Sequence, residues 1–369
     1  MYILQKKAAR VISMAAIAIS TAFLAGGCSF SNAPRPRLGC YATSTPGGRF
    51  IDANGLGKHS YHGSPFENNG IAYTCRGGHI DVTHVRICAD NTRHLYDKTK
   101  ENLLADRTEF IYSLNVDRST YFVTLTYPDN WKNLPKADKE KIADEVSLEL
   151  SQYFTYTMVT WHEILTWFGF KTMAILPEFP SAFSWEDNYS NLFGIRLGAQ
   201  AVQDKEHDYD EAMTIALKKE LENLGVQSNT FARSAAEKMR GKWWDGEIMV
   251  VMKERNMDIG LVDGFATPTL VPGVCGDAQP QSLPVPTLAT SAKYGFTMNL
   301  EIKPGEWESG QILKIVYPDG KTKRIHPSTD IPIVMEYLRK DGTKRGYTVM
   351  PPGKVERLGS EVRASKEIK

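Results

Sequence analysis

One segment, Tyr153-FTYTMVTWHEILTWFG-Phe170, is apolar and aromatic over almost its whole length. It continues a helical region that follows Pro135 and stays amphipathic to about Gln152. A helix that is apolar on every side is normally buried inside a protein. The segment therefore predicts a central buried helix around which the rest of the chain packs.

Helices also predominate in the sequence on both sides of this segment. Asp81 as an N-cap favours a helix from Val82 to about Leu104, although residues 80–87 alternate equally well as a strand. The further predicted elements are a strand over residues 120–128 and helices near residues 184–203, 208–224 and 230–239.

The character of the sequence changes beyond Trp243. Short β-prone runs alternate with the hairpin signals Asp245-Gly246, Asp319-Gly320 and Asp341-Gly342. The sequence therefore predicts an α+β fold, in which a helix-rich N-terminal and central block is followed by a small, mainly antiparallel β region. The predicted divisions are a signal peptide (1–27), a tether (28–40), an α-rich domain (41–245) and a β-rich C-terminal region (246–369), the last two being separate or parts of one domain.

The N-terminal residues have the pattern of a bacterial lipoprotein signal peptide. A basic start and a short apolar core lead to Leu24-Ala25-Gly26-Gly27-Cys28, which matches a lipobox. Cys28 would then carry the palmitate-type lipid anchor as the first residue of the mature chain. Ser29 after it favours the outer membrane over the inner membrane. The predicted location is the periplasmic side of the outer membrane.

Charge and cysteine content bound the partners and the compartment. The chain has 44 basic and 43 acidic residues and no basic stripe interleaved with aromatic residues, which argues against a nucleic-acid partner. In an oxidising periplasm the cysteines beyond Cys28 are expected to form disulfides. The expected pairs are Cys75 with Cys88 and Cys40 with Cys275, although the sequence alone permits three connectivities.

His162 and Glu163 lie side by side in the otherwise uncharged helix. A buried carboxylate without a partner costs several kcal/mol, so Glu163 needs a cation, a hydrogen-bond donor or a metal-bound water nearby. The pair matches the first half of the HExxH motif of zinc peptidases, but Thr166 occupies the place of the second histidine. The alternative is a structural role, in which both residues pair with arginines.

The segment Gly77-GHIDVTHVRICAD-Asn91 could supply one missing zinc ligand. On a helix, Asp81 and His84 are three residues apart and share a face, which suits a histidine ligand oriented by a carboxylate. Arg86 would lie just outside the metal ligands. The alternative makes Asp81 an N-cap and His84 a core histidine.

A further ligand could come from Ser184-WEDNYSNLF-Gly194. Ser184 and Asp187 fit a capping box, with Asp187 in the position usually held by Glu or Gln. This leaves Glu186 as the candidate ligand, with Asn191 as a supporting residue one turn later.

Cysteine hydrolase chemistry is the rival enzymatic interpretation. It would use Cys75 or Cys88 as the nucleophile and His84 or His79 as the base. Export to an oxidising compartment instead favours disulfides for these thiols.

The lipobox, GHIDVTHVR with Asp90 after it, HEILTWFG and SWEDNYSNLFG together resemble an uncharacterised family of bacterial lipoproteins, the domain of unknown function 4056. The resemblance extends over most of the mature chain. It implies no activity. The candidate residues that it places inside the signature segments of the family are His84, Arg86, His162, Glu163, Glu186 and Asn191.

The leading hypothesis is a lipid-anchored envelope protein with a metal-dependent hydrolase site. One zinc ion would be bound by His84, His162 and Glu186, and Glu163 would act as general base in the hydrolysis of an amide or ester. The substrate would be a peptidoglycan-related or other envelope component. The alternative is a non-catalytic envelope protein, in which the His/Glu network is structural and the C-terminal region binds a partner protein.

Overall fold

Helices dominate the part of the chain that the structure, a computed structural model, describes: residues 33–350 except 38, 47, 173–175 and 248–249. The helices in this part are α1 (Val82–Leu104), α2 (Lys136–Trp167), α3 (Asp187–Gln203), α4 (Tyr209–Asn223), α5 (Asn229–Lys238), α6 (Ala289–Lys293), α7 (Ser309–Val316) and α8 (Pro327–Lys344). The central helix predicted from the apolar segment is α2. Its second half is buried, as its composition requires.

Short strands complete the fold. They are β1 (Ile71–Thr74), β2 (Gly78–Asp81), β3 (Glu109–Tyr112), β4 (Thr120–Thr126), β5 (Lys171–Thr172), β6 (Leu176–Pro177), β7 (Trp244–Asp245), β8 (Val251–Met252), β9 (Glu254–Asn256), β10 (Phe265–Ala266), β11 (Leu283–Pro284), β12 (Thr297–Lys303) and β13 (Thr348–Met350). The largest sheet within the described residues is antiparallel with the order β12-β4-β3. Since these strands stand beside dominant helices, the predicted α+β class is confirmed.

Helix α1 packs against both α2 and α3 and forms the centre of the helical core. Two glycines of α3 permit the close approach of α1. A Cβ at Gly194 would lie 2.2 Å from the carbonyl oxygen of Val85, and one at Gly198 would lie 2.6 Å from that of Ala89. These contacts are too short for any side chain, so the spacing of α1 and α3 depends on glycine at both positions.

The predicted N-terminus is confirmed for α1 but differs from the observed one for α3. Asp81 caps α1 as predicted, because its Oδ1 accepts a hydrogen bond from the Thr83 N–H at 2.7 Å. Helix α3 begins at Asp187, so Ser184 precedes the cap position instead of occupying it. The reciprocal contact is nevertheless present, since Asp187 Oδ2 accepts the Ser184 N–H at 2.8 Å.

The C-terminal region is not the mainly β structure that the sequence predicts. It contains α6, α7 and α8 beside its short strands. Asp341 and Gly342 lie within α8, and Asp319 and Gly320 lie in a turn after α7, so neither pair forms a hairpin. Strand β12 pairs with β4 over Thr297–Lys303, which joins this region to the helix-rich block in one sheet.

Arg35 and Arg37 belong to the fold, so the predicted flexible tether does not extend to residue 40. The Arg37 side chain is only 1% exposed and contacts Glu67 at 2.9 Å and Asp90 at 2.6 Å. Arg35 also pairs with Glu67. A polar N-terminal segment is usually solvated, but here its charges are neutralised by acidic side chains from elsewhere in the chain.

The predictions on the signal peptide and on Cys28 lie outside the described residues. Among the helices of the described part, none combines the length and the hydropathy needed to cross a bilayer.

Candidate functional site

His84 lies in the first turn of α1, directly after the hairpin formed by β1 and β2. The hairpin ends at Asp81, which also caps the helix, so the three-residue spacing brings His84 back towards that carboxylate. The Asp81 Oδ2 atom lies 3.2 Å from the His84 Nδ1 atom. The local chain path thus creates the Asp–His pair that the sequence predicts.

Asp187 approaches the same ring nitrogen from α3. Its Oδ1 atom lies 3.3 Å from His84 Nδ1, while its Oδ2 atom is held by the Ser184 N–H. The side chains of Asp81 and Asp187 are 0% and 4% exposed, whereas that of His84 is 28% exposed. Nδ1 itself is buried, so the solvent-accessible part of His84 is the rest of the side chain, including the Nε2 edge of the ring.

The ring is not aligned for a straight hydrogen bond to either carboxylate. Loose geometry of this kind is common in sites without substrate, where hydrogen bonds tighten only on binding. With the Asp81 carboxylate beside Nδ1, the tautomer that carries the proton on Nδ1 is favoured, which leaves Nε2 as an acceptor.

Glu163 of α2 supports the turn that presents Asp187. Its side chain is 5% exposed, and its Oε2 atom accepts the N–H of Phe183 at 2.7 Å. Phe183 has a φ of 53°, a left-handed conformation that is strained for a bulky residue. Strain of about 1–3 kcal/mol persists only where the surroundings enforce it.

A second set of contacts, made by residues of β9, also holds this turn. The Asn256 N–H donates to the Phe183 carbonyl at 2.9 Å, and Arg255 Nη1 donates to the Ala182 carbonyl at 2.6 Å. Arg255 is itself buried. The backbone between α2 and α3 is thus fixed immediately before Asp187.

Three buried carboxyl groups in and beside this site, those of Asp187, Glu163 and Glu186, retain protons more strongly than they would in water. Burial raises the pKa of Asp187 well above its usual range, and the charge of Glu163 adds to this rise. Burial also raises the pKa of Glu163, although the His162 charge and the Phe183 N–H oppose it. Burial raises the pKa of Glu186 well above its usual range too, with the charge of Asp187 next in effect.

His162 is oriented towards a different acidic residue. Its Nε2 atom lies 3.2 Å from Glu178 Oε2, on the segment between α2 and α3. Burial lowers the pKa of His162, but the hydrogen bond and charge of Glu178 outweigh it and raise this pKa to about 9. His162 is therefore mainly protonated at neutral pH, whereas a metal ligand must be a neutral imidazole.

Within the described residues, no group of three or more His, Cys, Asp or Glu side chains is placed to hold a metal ion. His84, His162 and Glu186 all lie in the described part of the chain, but the neighbours of each side chain differ. His84 faces Asp81 and Asp187, whereas His162 faces Glu178. Glu186 is buried, and its Oε2 atom has no hydrogen-bond partner in the described structure. Zinc binding by these residues stays a prediction, because the described structure does not bring their side chains together as one set of ligands.

A family described as protein of unknown function (DUF4056) matches residues 47–258, which is more than half of the chain. The chain belongs to the DUF4056 family. The matched range contains His84, Glu163 and Asp187. No curated protein and no solved structure matches the chain.

Asn191 and Cys88 form a buried contact one helical turn beyond Asp187 and His84. The Cys88 thiol donates to Asn191 Oδ1 at 3.2 Å. Burial raises the pKa of Cys88 well above its usual range, and the charges of Glu163 and Asp81 add to the rise. A thiol is a weak nucleophile until it loses its proton, so Cys88 is a poor candidate for covalent catalysis.

The predicted cysteine pairing is wrong. Cys75 forms its disulfide with Cys275, at a sequence separation of 200. Cys88 is a free, buried thiol on α1, and Cys40 is also free. Cys88 lies in the first turns of α1 and faces α3, which explains why nearness in sequence to Cys75 does not produce a bond.

Arg86 and His79 have structural surroundings. The buried guanidinium of Arg86 donates to the carbonyls of Asn68 at 2.6 Å and Leu56 at 2.9 Å, so it anchors the 56–69 segment instead of supporting a metal ligand. His79 is buried against Trp185, whose indole N–H donates to its Nδ1 at 3.4 Å. Burial lowers the pKa of His79 to about 4.

Sequence reasoning missed three contributors to these arrangements. Asp187 appeared only as a capping residue, Glu178 lies in a segment without periodicity, and His59 falls in a Gly/Ser/Asn-rich stretch that suggests a surface loop. His59 is in fact 3% exposed, and its Nε2 lies 2.9 Å from Asp90 Oδ1. The one available signal was chemical: an acidic residue in the first turn of a helix can serve both its own cap and a neighbouring histidine.

Proposed function

We propose that this DUF4056 protein is a hydrolase of the cell envelope in which His84 acts as general base on a water molecule. The observation that supports the proposal is the position of His84 Nδ1, which lies 3.2 Å from Asp81 and 3.3 Å from Asp187 while the side chain still reaches solvent. A histidine oriented in this way by carboxylates is the usual device for proton transfer at neutral pH.

The proposed reaction is hydrolysis of an amide or ester. His84 Nε2 takes a proton from water as the water oxygen adds to the substrate carbonyl. The same proton then passes from Nε2 to the leaving amine or alcohol as the carbon–heteroatom bond breaks. The Asp81 carboxylate, which lies 3.2 Å from Nδ1, stabilises the imidazolium that exists between the two steps, and Asp187 closes the other side of the ring nitrogen.

Glu163 has a positioning role in this scheme instead of the base role expected from the sequence. A base must lie within hydrogen-bond reach of the water that it activates. Glu163 is almost fully buried and its Oε2 atom is already bound to the Phe183 N–H. Through this contact it fixes the turn that brings Asp187 to His84.

The envelope location is supported by the lipobox that ends at Cys28 and by the polar segment after it. A bacterial lipoprotein carries several acyl chains, and several chains anchor a protein stably where a single chain does not. A hydrolase held at the periplasmic side of the outer membrane would meet peptidoglycan-related peptides and acyl esters as substrates.

The test compares His84→Gln with His207→Gln. His207 is a matched control because its Nδ1 lies 3.1 Å from Asp204, three residues before it, at a half-buried position outside the site. Turnover is measured on fluorogenic peptide amides, p-nitrophenyl esters and purified peptidoglycan. We expect His84→Gln to lose about 10²–10⁴-fold in rate at an unchanged melting temperature, the range typical of a general base.

His207→Gln should retain the rate of the wild type. Comparable turnover by wild type and His84→Gln would show that His84 is not the base. If the wild type turns over none of these substrates, the hydrolase proposal fails and the non-catalytic alternative takes its place.

A further inference from the structure

Helix α3 borders a second concave site on the face opposite to the His84 site. Asp187, Asn191, Gly194 and Gly198 point towards α1, since successive residues of a helix turn by about 100°. The residues that line a cleft of about 380 Å³ lie about half a turn away on α3, beginning at Tyr189. The two sites therefore share a helix but no side chain.

The lining of this cleft is rich in amide side chains. Its polar members are Gln152, Gln200, Gln203, Gln281, Arg196 and Glu220. They come from α2, α3, α4 and the segment before β11. A glutamine side chain offers one carbonyl acceptor and two N–H donors, which is the pattern that complements the C=O and N–H groups of a peptide.

Arg196 adds a cationic group without a fixed partner. Its side chain is exposed, and among the described residues no carboxylate forms an ion pair with it. A guanidinium binds a carboxylate through two parallel N–H···O bonds. Glu220 lines the same cleft and disfavours ligands that carry several negative charges, such as phosphate esters.

The floor of the cleft argues against a sugar ligand. The rings of Tyr189 and Phe193 are parallel within 7° but only 1% and 4% exposed, so neither presents a face for stacking. The Tyr189 hydroxyl is already used, because it donates to the Gln281 carbonyl at 2.8 Å. What remains accessible is the set of amides, the two charged groups and the partly exposed Leu148.

We propose that this cleft binds a short peptide with a free carboxylate. Arg196 receives the carboxylate, and the glutamines of α3 and of the segment before β11 pair with the peptide groups. A volume of about 380 Å³ falls within the range of roughly 300–1,000 Å³ typical of small-ligand sites. The site does not depend on the hydrolase proposal, because no residue of the His84 site lines it.

The experiment is isothermal titration of the full-length protein with trialanine, trialanine amide and maltotriose. We expect trialanine to bind at least tenfold more tightly than its amide, because amidation removes the charge that Arg196 recognises. Arg196→Gln should abolish this preference, and Gln200→Ala should weaken the binding of both peptides. Both side chains are exposed, so neither variant is expected to unfold the protein.

Lys218→Gln is the matched control, because Lys218 is an exposed cation of α4 that does not line the cleft. It should bind trialanine like the wild type, and so should His84→Gln, which separates this proposal from the hydrolase proposal. Equal affinity for trialanine and its amide, unchanged binding by Arg196→Gln, no binding of trialanine at millimolar concentration, or binding of maltotriose in its place would each overturn the proposal.

Discussion

Replacing Gly194 by alanine should separate the two helices that form the His84 site. The added Cβ would lie 2.2 Å from the Val85 carbonyl oxygen and 2.7 Å from the Val85 Cα atom. Both neighbours are backbone atoms of α1, so no side chain can rotate to make room. An ordinary carbon–oxygen contact needs about 3.3 Å or more, so α1 and α3 must move apart by about 1 Å.

The magnitude follows from two opposing effects. Alanine gains about 1 kcal/mol over glycine in helix propensity. Against this, a gap approaching 1 Å forfeits roughly a quarter to a half of the dispersion energy at the contacts it opens, and overpacked cores typically lose about 1–3 kcal/mol. Because the atoms that clash with the new Cβ are backbone atoms, we take the upper end of this range, about 3 kcal/mol, and the gain in helix propensity reduces it to a net loss of about 2 kcal/mol in the free energy of unfolding.

Urea denaturation followed by circular dichroism measures this loss. Gly310→Ala is the matched control, because Gly310 also lies in a helix but its Cβ would meet nothing within 4 Å. It should leave stability unchanged or raise it by about 0.5 kcal/mol. A Gly194→Ala protein as stable as the wild type would show that the packing of α1 and α3 is not limited by this contact. The same shift should also break the 3.3 Å contact between His84 and Asp187 and lower any His84-dependent turnover.

Three further changes test other parts of the structure. Burial lowers the pKa of His79 to about 4, so the unfolded chain takes up the proton first, and the contribution of His79 to stability should fall by about 3 kcal/mol as the pH drops from about 6.5 through 4. Urea melts should show this as a fall in the stability of the wild type relative to His79→Leu across that range, and a constant difference between the two would contradict it. Asp90→Asn should cost about 3–5 kcal/mol in urea melts, because Arg37 loses its 2.6 Å partner and keeps, among the described residues, a single acidic partner, Glu67, which Arg35 and Arg86 also contact. A similar loss in the exposed control Asp97→Asn would refute this reasoning. Cys28→Ser should abolish labelling by a clickable palmitate analogue and release the protein from the membrane fraction, and equal labelling of both proteins would disprove lipid attachment.

The regular elements of this fold could be predicted because their causes are local. The apolar run around His162 required a buried helix, and Asp81 before Val82 supplied the acceptor that starts α1. The long-range contacts between these elements could not be predicted from the local sequence. The disulfide joins Cys75 to a cysteine 200 residues away, so the local pairing rule failed.

The charged residues show the same limit. Arg35 and Arg37 follow a polar segment, and a polar N-terminal segment normally remains in solvent. The burial of the Arg37 side chain depends on Glu67 and Asp90, which become its neighbours only when the chain folds. The candidate site followed this rule too: the Asp81–His84 pair was predictable from its spacing, whereas the approach of Asp187 required the strained turn at Phe183.

Helix α3 determines how the His84 site and the peptide cleft can influence each other. One face of α3 packs against α1 at Gly194 and Gly198, where the two helix backbones are too close to admit even a Cβ atom between them. A ligand on the opposite face changes the distance between His84 and Asp187 only if it binds better to a second position of the helix. Any second position of α3 would disrupt its close packing against α1 at the two glycines. Because protein cores resist continuous deformation, such a shift is unfavourable. Peptide binding in the cleft should therefore leave unchanged the geometry at which His84 transfers the proton.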